Sequence, residues 1–421
     1  MPMQPWFPDA KLGIFIHYGI YAVDGLAESW SFYTGESTHE EYMKQLDGFT
    51  ASRYDPQAWA ELFARVGAQY AVLTARHHDG VALWNTDHRN LDVVRDTPAG
   101  RDLVTGFVDA LREQNLKVGL YYSHSDWNHP DYPSERHPGP FVVEPNDYSH
   151  ARPGEQDPEV WARYLAYRDG QVSELVERFH PDILWFDGEW ERTEEQWRMR
   201  ELSELILAGN PDTILNARML SYGDYATPEQ GVPLIAPYGP WELCLTINDS
   251  WGFRAEDRHF KSVRQLVRYF TETIGMGGNL LLDVGPMEDG TIPAEQVERL
   301  EGLGAWVIKH AGAVYGTVAG LPAGHHYGPS TLSADRRTLY LTCFDAPREA
   351  VSIRGLRNAV RRVSVVGTGT ELGHHVTGGL DEVPGVTWID APGAADLDEY
   401  ATVLAVELDG ELDLYRGTGR D

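Results

Sequence analysis

The sequence predicts a (β/α)8-like barrel over residues 1–320, followed by a C-terminal antiparallel β-sandwich over 321–421. Three observations carry that expectation. Short apolar runs alternate with amphipathic helical segments through the first three quarters of the chain, the pattern of parallel strands joined by helical crossovers. After Tyr315-Gly316 the texture changes to brief alternating runs cut by Gly, Pro and Asp, which suits antiparallel strands and tight turns. Polar and aromatic side chains also gather just past the ends of successive apolar runs, where a barrel of this kind places its chemistry.

Barrel strands are predicted at 12–17, 70–74, 117–122, 182–187, 213–216, 243–248 and 279–284, a number that favours a closed barrel over an open sheet. Helices are predicted at 56–67, 101–115, 160–179, 194–208, 262–275 and 293–311. The first opens with Asp55 as N-cap and Pro56 at the first helical position, and the second aligns Leu103, Phe107 and Leu111 on one face. Residues 219–242 break the pattern with Gly, Pro and Tyr and no helical period, which reads as a long functional loop. In the C-terminal part the clearest alternating runs are 338–343, 359–366 and 402–408.

Composition narrows the function. The 421 residues include 13 Trp and 21 Tyr, an aromatic supply suited to stacking on the C–H faces of sugars. A formal charge of -29 argues against nucleic acid or an anionic membrane surface as partner, since both would be repelled, whereas a neutral sugar is indifferent to it. Cys244 and Cys343 lie far apart without zinc-ligand spacing and are expected to be free, buried thiols. No leader-like N-terminal pattern and no membrane-spanning apolar run is visible, so a cytoplasmic location is expected.

The residues at the strand ends are alike in character: His17-Tyr18, Arg76-His77-His78-Asp79, Tyr121-Tyr122, Asp187-Gly188-Glu189-Trp190, Asn216-Ala217-Arg218 and Asn248-Asp249-Ser250-Trp251. Each alone is explained by a satisfied core histidine or a polar cap on a turn. Together they form a pocket of neutral hydrogen-bonding groups, one guanidinium and aromatic walls. Asp187 ends an abrupt apolar run, so a buried strand delivers a carboxylate to a ring-lined rim, as carbohydrate-cleaving enzymes present a nucleophile. A metal-dependent hydrolase using His77, His78 and Asp79 is the competing chemistry. Adjacent histidines on a regular strand would face opposite ways, however, so neither metal nor cofactor is expected. Glycoside hydrolysis through a nucleophile needs a second, protonated carboxyl. Glu189, Asp224, Glu229, Glu242 and Asp249 are the candidates. Glu189 lies too near Asp187 in the chain to stand across a glycosidic bond. Glu242 precedes its strand and reads as part of an ion pair beneath the barrel. Glu229 lies where the loop could fold over the pocket mouth and burial would raise its pKa.

These motifs resemble the retaining α-L-fucosidase family from about residue 5 to 317. The resemblance runs through Gly13-Ile-Phe-Ile-His-Tyr-Gly19, Arg76-His-His-Asp-Gly80, Gly119-Leu-Tyr-Tyr-Ser123, Trp185-Phe-Asp-Gly188, Asn216-Ala-Arg218, Ser250-Trp-Gly252 and Asn279-Leu-Leu-Leu-Asp-Val-Gly-Pro286. It implies a barrel departing from regular eightfold order, Asp187 as nucleophile, and His17, Trp30, His77, His78, Tyr121, Arg218 and Trp251 around a fucose ring. Thr227-Pro-Glu-Gln230 resembles one branch's acid/base segment, which assigns that role to Glu229. The implied activity is exo-hydrolysis of terminal α-L-fucose from fucosylated oligosaccharides or glycoconjugates, with retention of configuration and the two carboxyls about 5 to 5.5 Å apart. A carbohydrate-binding barrel without catalysis is the alternative. The chain departs from the family where Ser29 separates Glu28 from Trp30, and where His310-Ala-Gly312 replaces an Asn-Gly-Glu segment.

Overall fold

The computed structural model describes residues 3–132 and 157–417. Seven parallel strands form the wall of the first unit: β1 (Leu12–Ile16), β2 (Tyr70–Arg76), β3 (Lys117–Ser123), β4 (Ile183–Asp187), β5 (Ile214–Leu215), β6 (Glu242–Thr246) and β7 (Asn279–Val284). They pair in the order β5-β4-β3-β2-β1-β7-β6. Their burial is almost unbroken, as expected when one face meets helices and the other fills the interior.

Period-two alternation sorts the side chains. Phe15, Tyr70, Val72, Tyr121, Ile183, Trp185, Cys244 and Leu281 pack together inside the wall, while their neighbours Ile14, Leu73, Leu120, Leu184 and Leu282 join the layer beneath the helices. Gly13 leaves room for the Tyr70 ring across the floor, where an added Cβ would lie 2.2 Å from the ring. The same parity that buries Trp185 brings Asp187 to the interior at the carboxyl end of β4.

The wall is closed by chain that carries no regular strand. Residues 225–230 run between β5 and β6 and form parallel bridges Asn216 with Tyr225, Ala226 with Trp241, and Glu229 with Cys244. Cys244 N–H donates to Pro228 O at 3.1 Å and Gln230 N–H to Cys244 O at 2.9 Å. The expectation of a long loop across 219–242 is therefore corrected at 225–230, which pairs with its neighbours, and at 219–222, which lies in the short helix Ala217–Tyr222. Pro228 has no N–H to give to a ladder, and Gly and Pro flank the segment, so the period-two pattern is lost although the pairing survives.

The helices over Pro56–Arg65, Leu103–Glu113, Pro158–Phe179, Met199–Gly209, Val263–Gly275 and Ala294–Lys309 follow the predicted set. Asp55 caps the first through Ala58 N–H at 3.0 Å. The expected helix over 194–208 is instead two, Glu194–Trp197 and Met199–Gly209, broken where Arg198 takes a left-handed φ of 52°. In the His310-Ala-Gly312 departure, His310 separates Ala294–Lys309 from the short helix Ala311–Val314, which Ala311 and Gly312 begin.

Beyond Thr317 the chain is antiparallel. A five-stranded sheet of Thr317–Ala319, Ser330–Ser333, Thr338–Cys343, Thr402–Leu408 and Val360–Val365 faces a three-stranded one of Ala350–Ile353, Val386–Asp390 and His374–Thr377. Leu339, Leu341, Val363, Leu404 and Val406 meet Val351, Ile353 and Ile389 between them. This β-sandwich leans on the barrel helices, with Trp306 Nε1 donating to Ala401 O at 2.9 Å. Among the described residues no helix is long and apolar enough to cross a membrane, and Cys244 and Cys343 are free and buried.

Candidate active site

Asp187 is the hub of the carboxyl-end pocket. Tyr121 OH donates to its Oδ2 at 3.0 Å, His78 Nε2 lies 3.5 Å from the same oxygen, and an Arg218 guanidinium nitrogen lies 3.7 Å from Oδ1. Burial opposes ionisation of this carboxyl, but the imidazole and guanidinium outweigh it and hold Asp187 well below the usual carboxylate range. It is therefore an anion at any ordinary pH.

Each histidine is oriented by a second residue, so one ring nitrogen is committed and the other is left to the cavity. His17 Nδ1 bonds Asp283 Oδ1 at 2.6 Å, His77 Nδ1 bonds Ser29 Oγ at 2.7 Å, and His78 Nδ1 bonds Ser125 Oγ at 2.9 Å. Burial lowers His17 to about 3, keeping the free ring neutral, and drives His77 down as well. The neutral imidazoles of His17 and His77 beside an anion suit hydroxyl recognition.

The sequence expectation that His77 and His78 face opposite ways is corrected: their rings lie 4.5 Å apart. Regular pairing of β2 with β3 is interrupted between Thr74 and Arg76, and β2 ends at Arg76, so the two histidines sit in a turn rather than on a pleat. They still do not form a metal set with Asp79. That carboxyl faces away into a bond from Tyr42 OH at 2.6 Å and another from Val81 N–H at 3.0 Å. Among the described residues, only Asp249, Asp257 and His259 bring ligand atoms close enough to share an ion, and that group is largely exposed.

Rings form the walls. His77 stacks on Tyr121 at 5.4 Å and 9°, Tyr121 on Trp185 at 5.7 Å and 18°, and Trp251 covers His17 at 5.0 Å. Trp30 stacks on Trp190 at 6.0 Å and meets His78 edge-on. Glu28, whose contact the inserted Ser29 put in question, accepts the Gly252 N–H and so pins the turn carrying Trp251. Burial pushes Glu28 up to about 7.

Of the second-carboxyl candidates, Glu229 is on the rim with Asp187. The bridge to Cys244 fixes its backbone, and its Oε2 lies 3.3 Å from Arg218, whose guanidinium also reaches Asp187. Its side chain is 43% exposed. Partial burial and the charge of Asp187 push Glu229 up, against the pull of Arg218. Glu189 Oε1 also binds Arg218 at 3.3 Å, and burial pushes Glu189 up to about 7. Asp224 is spent on Leu215 N–H at 2.8 Å, and Asp249 lies beside His259 at 3.0 Å. Glu242 opens β6, one residue earlier than expected, and so sits at the opposite end of the barrel interior. The expected ion pair is replaced by bonds from Tyr70 OH at 2.5 Å and Trp185 Nε1 at 2.9 Å.

Sequence reasoning missed Ser29, Ser125 and Asp283 as the residues that orient the histidines. Asp283 had a signal, because it stands alone as a charge in the apolar run Asn279–Val284 and faces inward by parity.

The family profile described as alpha-L-fucosidase matches residues 1–312. An alpha-L-fucosidase from Branchiostoma floridae is 30% identical over 349 residues, covering 75% of this chain and 73% of that protein. Among solved structures, alpha-L-fucosidase isoenzyme 1 from Paenibacillus thiaminolyticus superimposes with a TM-score of 0.85 at 32% identity, over 96% of this chain and 98% of that one. The Thermotoga maritima alpha-fucosidase in complex with fucose gives 0.79 at 31% identity, over 96% and 97%.

Proposed function

The chain belongs to the α-L-fucosidase family of glycoside hydrolases, and from that premise we propose that it releases terminal α-L-fucose from oligosaccharides or glycoconjugates with retention of configuration. Asp187 attacks the anomeric carbon while Glu229 gives its proton to the departing oxygen. Glu229, now a carboxylate, takes a proton from the water that attacks the glycosyl-enzyme, so both groups return to their starting states. His17, His77, His78 and Arg218 bind ring hydroxyls, and Tyr121 steadies the nucleophile. Trp30 and Trp251 pack against the apolar face and the C6 methyl of the sugar.

The observation that carries this reading is one guanidinium shared by two carboxyls with opposite proton affinities. Asp187 is held ionised and Glu229 is pushed toward its acid form. Two titratable groups driven apart in this way support the pairing of nucleophile and acid/base that a double displacement needs. Following the anomer of the released sugar by proton NMR during cleavage of an aryl α-L-fucoside tests it. Initial release of the α anomer supports retention, and initial release of the β anomer overturns it.

A further inference from the structure

Arg218 faces three carboxyls rather than two. One terminal nitrogen lies 3.3 Å from Glu189 Oε1 and 3.7 Å from Asp187 Oδ1, and the other lies 3.3 Å from Glu229 Oε2. Glu189 is placed by the turn after β4, where Gly188 takes a left-handed φ of 84° and the Glu189 carbonyl accepts Trp197 Nε1–H at 2.8 Å. An added Cβ at residue 188 would lie 2.6 Å from Ser125 Oγ, one of the groups that orients His78, so this turn has little freedom.

The two oxygens of Glu189 have different surroundings. Oε1 accepts from Arg218, whereas Oε2 is buried and has no hydrogen-bond partner among the described residues. A buried carboxylate oxygen with no donor is costly when it carries charge, and a proton on it removes that charge. Protonated on Oε2, Glu189 still accepts from Arg218 through Oε1 but leaves the guanidinium charge to the other two acids.

We propose that Glu189 is a positioning residue for the reaction: its Oε1 fixes the Arg218 guanidinium between nucleophile and acid/base, and it works as the neutral acid with its proton on Oε2. The proposal rests on the roles given above to Asp187 and Glu229. Burial pushing Glu189 up to about 7, with Arg218 opposing and Asp187 reinforcing, agrees with it. The charged groups facing Glu189 are Asp187 from β4, Arg218 from the turn after β5, and, through Arg218, Glu229 from the closing segment. Ionised, Glu189 draws Arg218 toward itself and adds a negative charge beside Asp187. Activity therefore falls as pH rises through the range where Glu189 loses its proton.

Glu189→Gln and Glu189→Ala in the full chain test this, with kcat/KM measured against pH on an aryl α-L-fucoside and on a fucosylated disaccharide. The Gln variant keeps an acceptor for Arg218 and cannot ionise. It is expected to stay within about threefold of the wild type near pH 6 and, on the aryl fucoside, whose leaving group needs no proton from Glu229, to hold its activity to higher pH. The Ala variant frees Arg218, and a loss of roughly tenfold or more is expected, the scale of one hydrogen bond to a charged group. Equal damage in both variants, or a Gln profile on the aryl fucoside that superimposes on the wild type, overturns the proposal. Wild-type protein that leaves the aryl fucoside uncut sinks the parent reading instead, so the two failures are told apart.

Discussion

Replacing Glu229 by Ala separates proton donation from everything else the rim does. An alkoxide leaving group, such as the sugar of a fucosylated disaccharide, departs only if protonated. A general acid contributes about 10²- to 10⁴-fold to such a step. A nitrophenolate carries its own negative charge and needs no proton. For that substrate the variant loses only what Glu229 supplies through Arg218, at 3.3 Å on a side chain that is 43% exposed. A pair that open to solvent is worth about 1 kcal/mol or less, which is under roughly tenfold in rate. The readout is kcat/KM, because it reports the steps up to formation of the glycosyl-enzyme and is blind to the later loss of the base. The expected result is a drop of about 10²-fold or more on the disaccharide against less than tenfold on the nitrophenyl fucoside. Added azide, which needs no base, speeds turnover of the activated substrate and gives a fucosyl azide of unchanged anomeric configuration. Equal losses on both substrates, without azide rescue, refute the assignment of Glu229.

Asp187→Ala removes the attacking group, so turnover of an aryl fucoside falls by several orders of magnitude. Any azide product has inverted configuration, and near-normal turnover excludes Asp187 as nucleophile. The pH profile on a poor leaving group falls as pH rises through the elevated value of Glu229, which works protonated. No acid limb appears in the usual carboxylate range, because Asp187 ionises well below it, and a steep loss between pH 3 and 5 with the fold intact contradicts this. Burial pushes Glu242 from 4.5 up to about 7, so its contribution to stability is whole below the unfolded value and is lost as pH rises through the folded one. The loss is on the order of 3 kcal/mol, and Glu242→Gln flattens the fall in Tm between pH 5 and 8, whereas an unchanged slope sinks the assignment. Gly13→Ala drives a methyl to 2.2 Å from the Tyr70 ring, and denaturant melts show a loss of about 3 kcal/mol or more; wild-type stability means the floor is loosely packed.

The pattern of apolar runs located each wall strand to within a few residues because strands buried on both faces read as continuous hydrophobic segments. Parity along those strands, anchored on Trp185 and Asp187, sorts pocket from helix layer once the strand bounds are fixed by the structure. What escaped was chain without a period. Residues 225–230 pair like a strand at three points but contain Pro228, so the segment holding Glu229 read as loop. The facing of His77 and His78 was misjudged because the pleat was extrapolated past Arg76, where pairing shifts and the strand ends. Glu189 was set aside on spacing from Asp187. Its importance depends on Arg218, 29 residues further on, and no local pattern connects them.

The closing segment has an implication for how this barrel can be altered. Its residues are tethered by isolated bridges, and the chain departs from it at Gln230 and returns at Pro240 with Leu234, Ile235 and Tyr238 standing almost fully in solvent. The proton donor proposed at Glu229 is thus mounted on a replaceable panel, while the proposed nucleophile Asp187 ends a rigid stave, and His17 and His77-His78 stand just past the ends of two others. If Glu229 serves as proposed, grafting a different 231–239 excursion leaves the histidines and Asp187 untouched and alters only the chain beside the proposed proton donor.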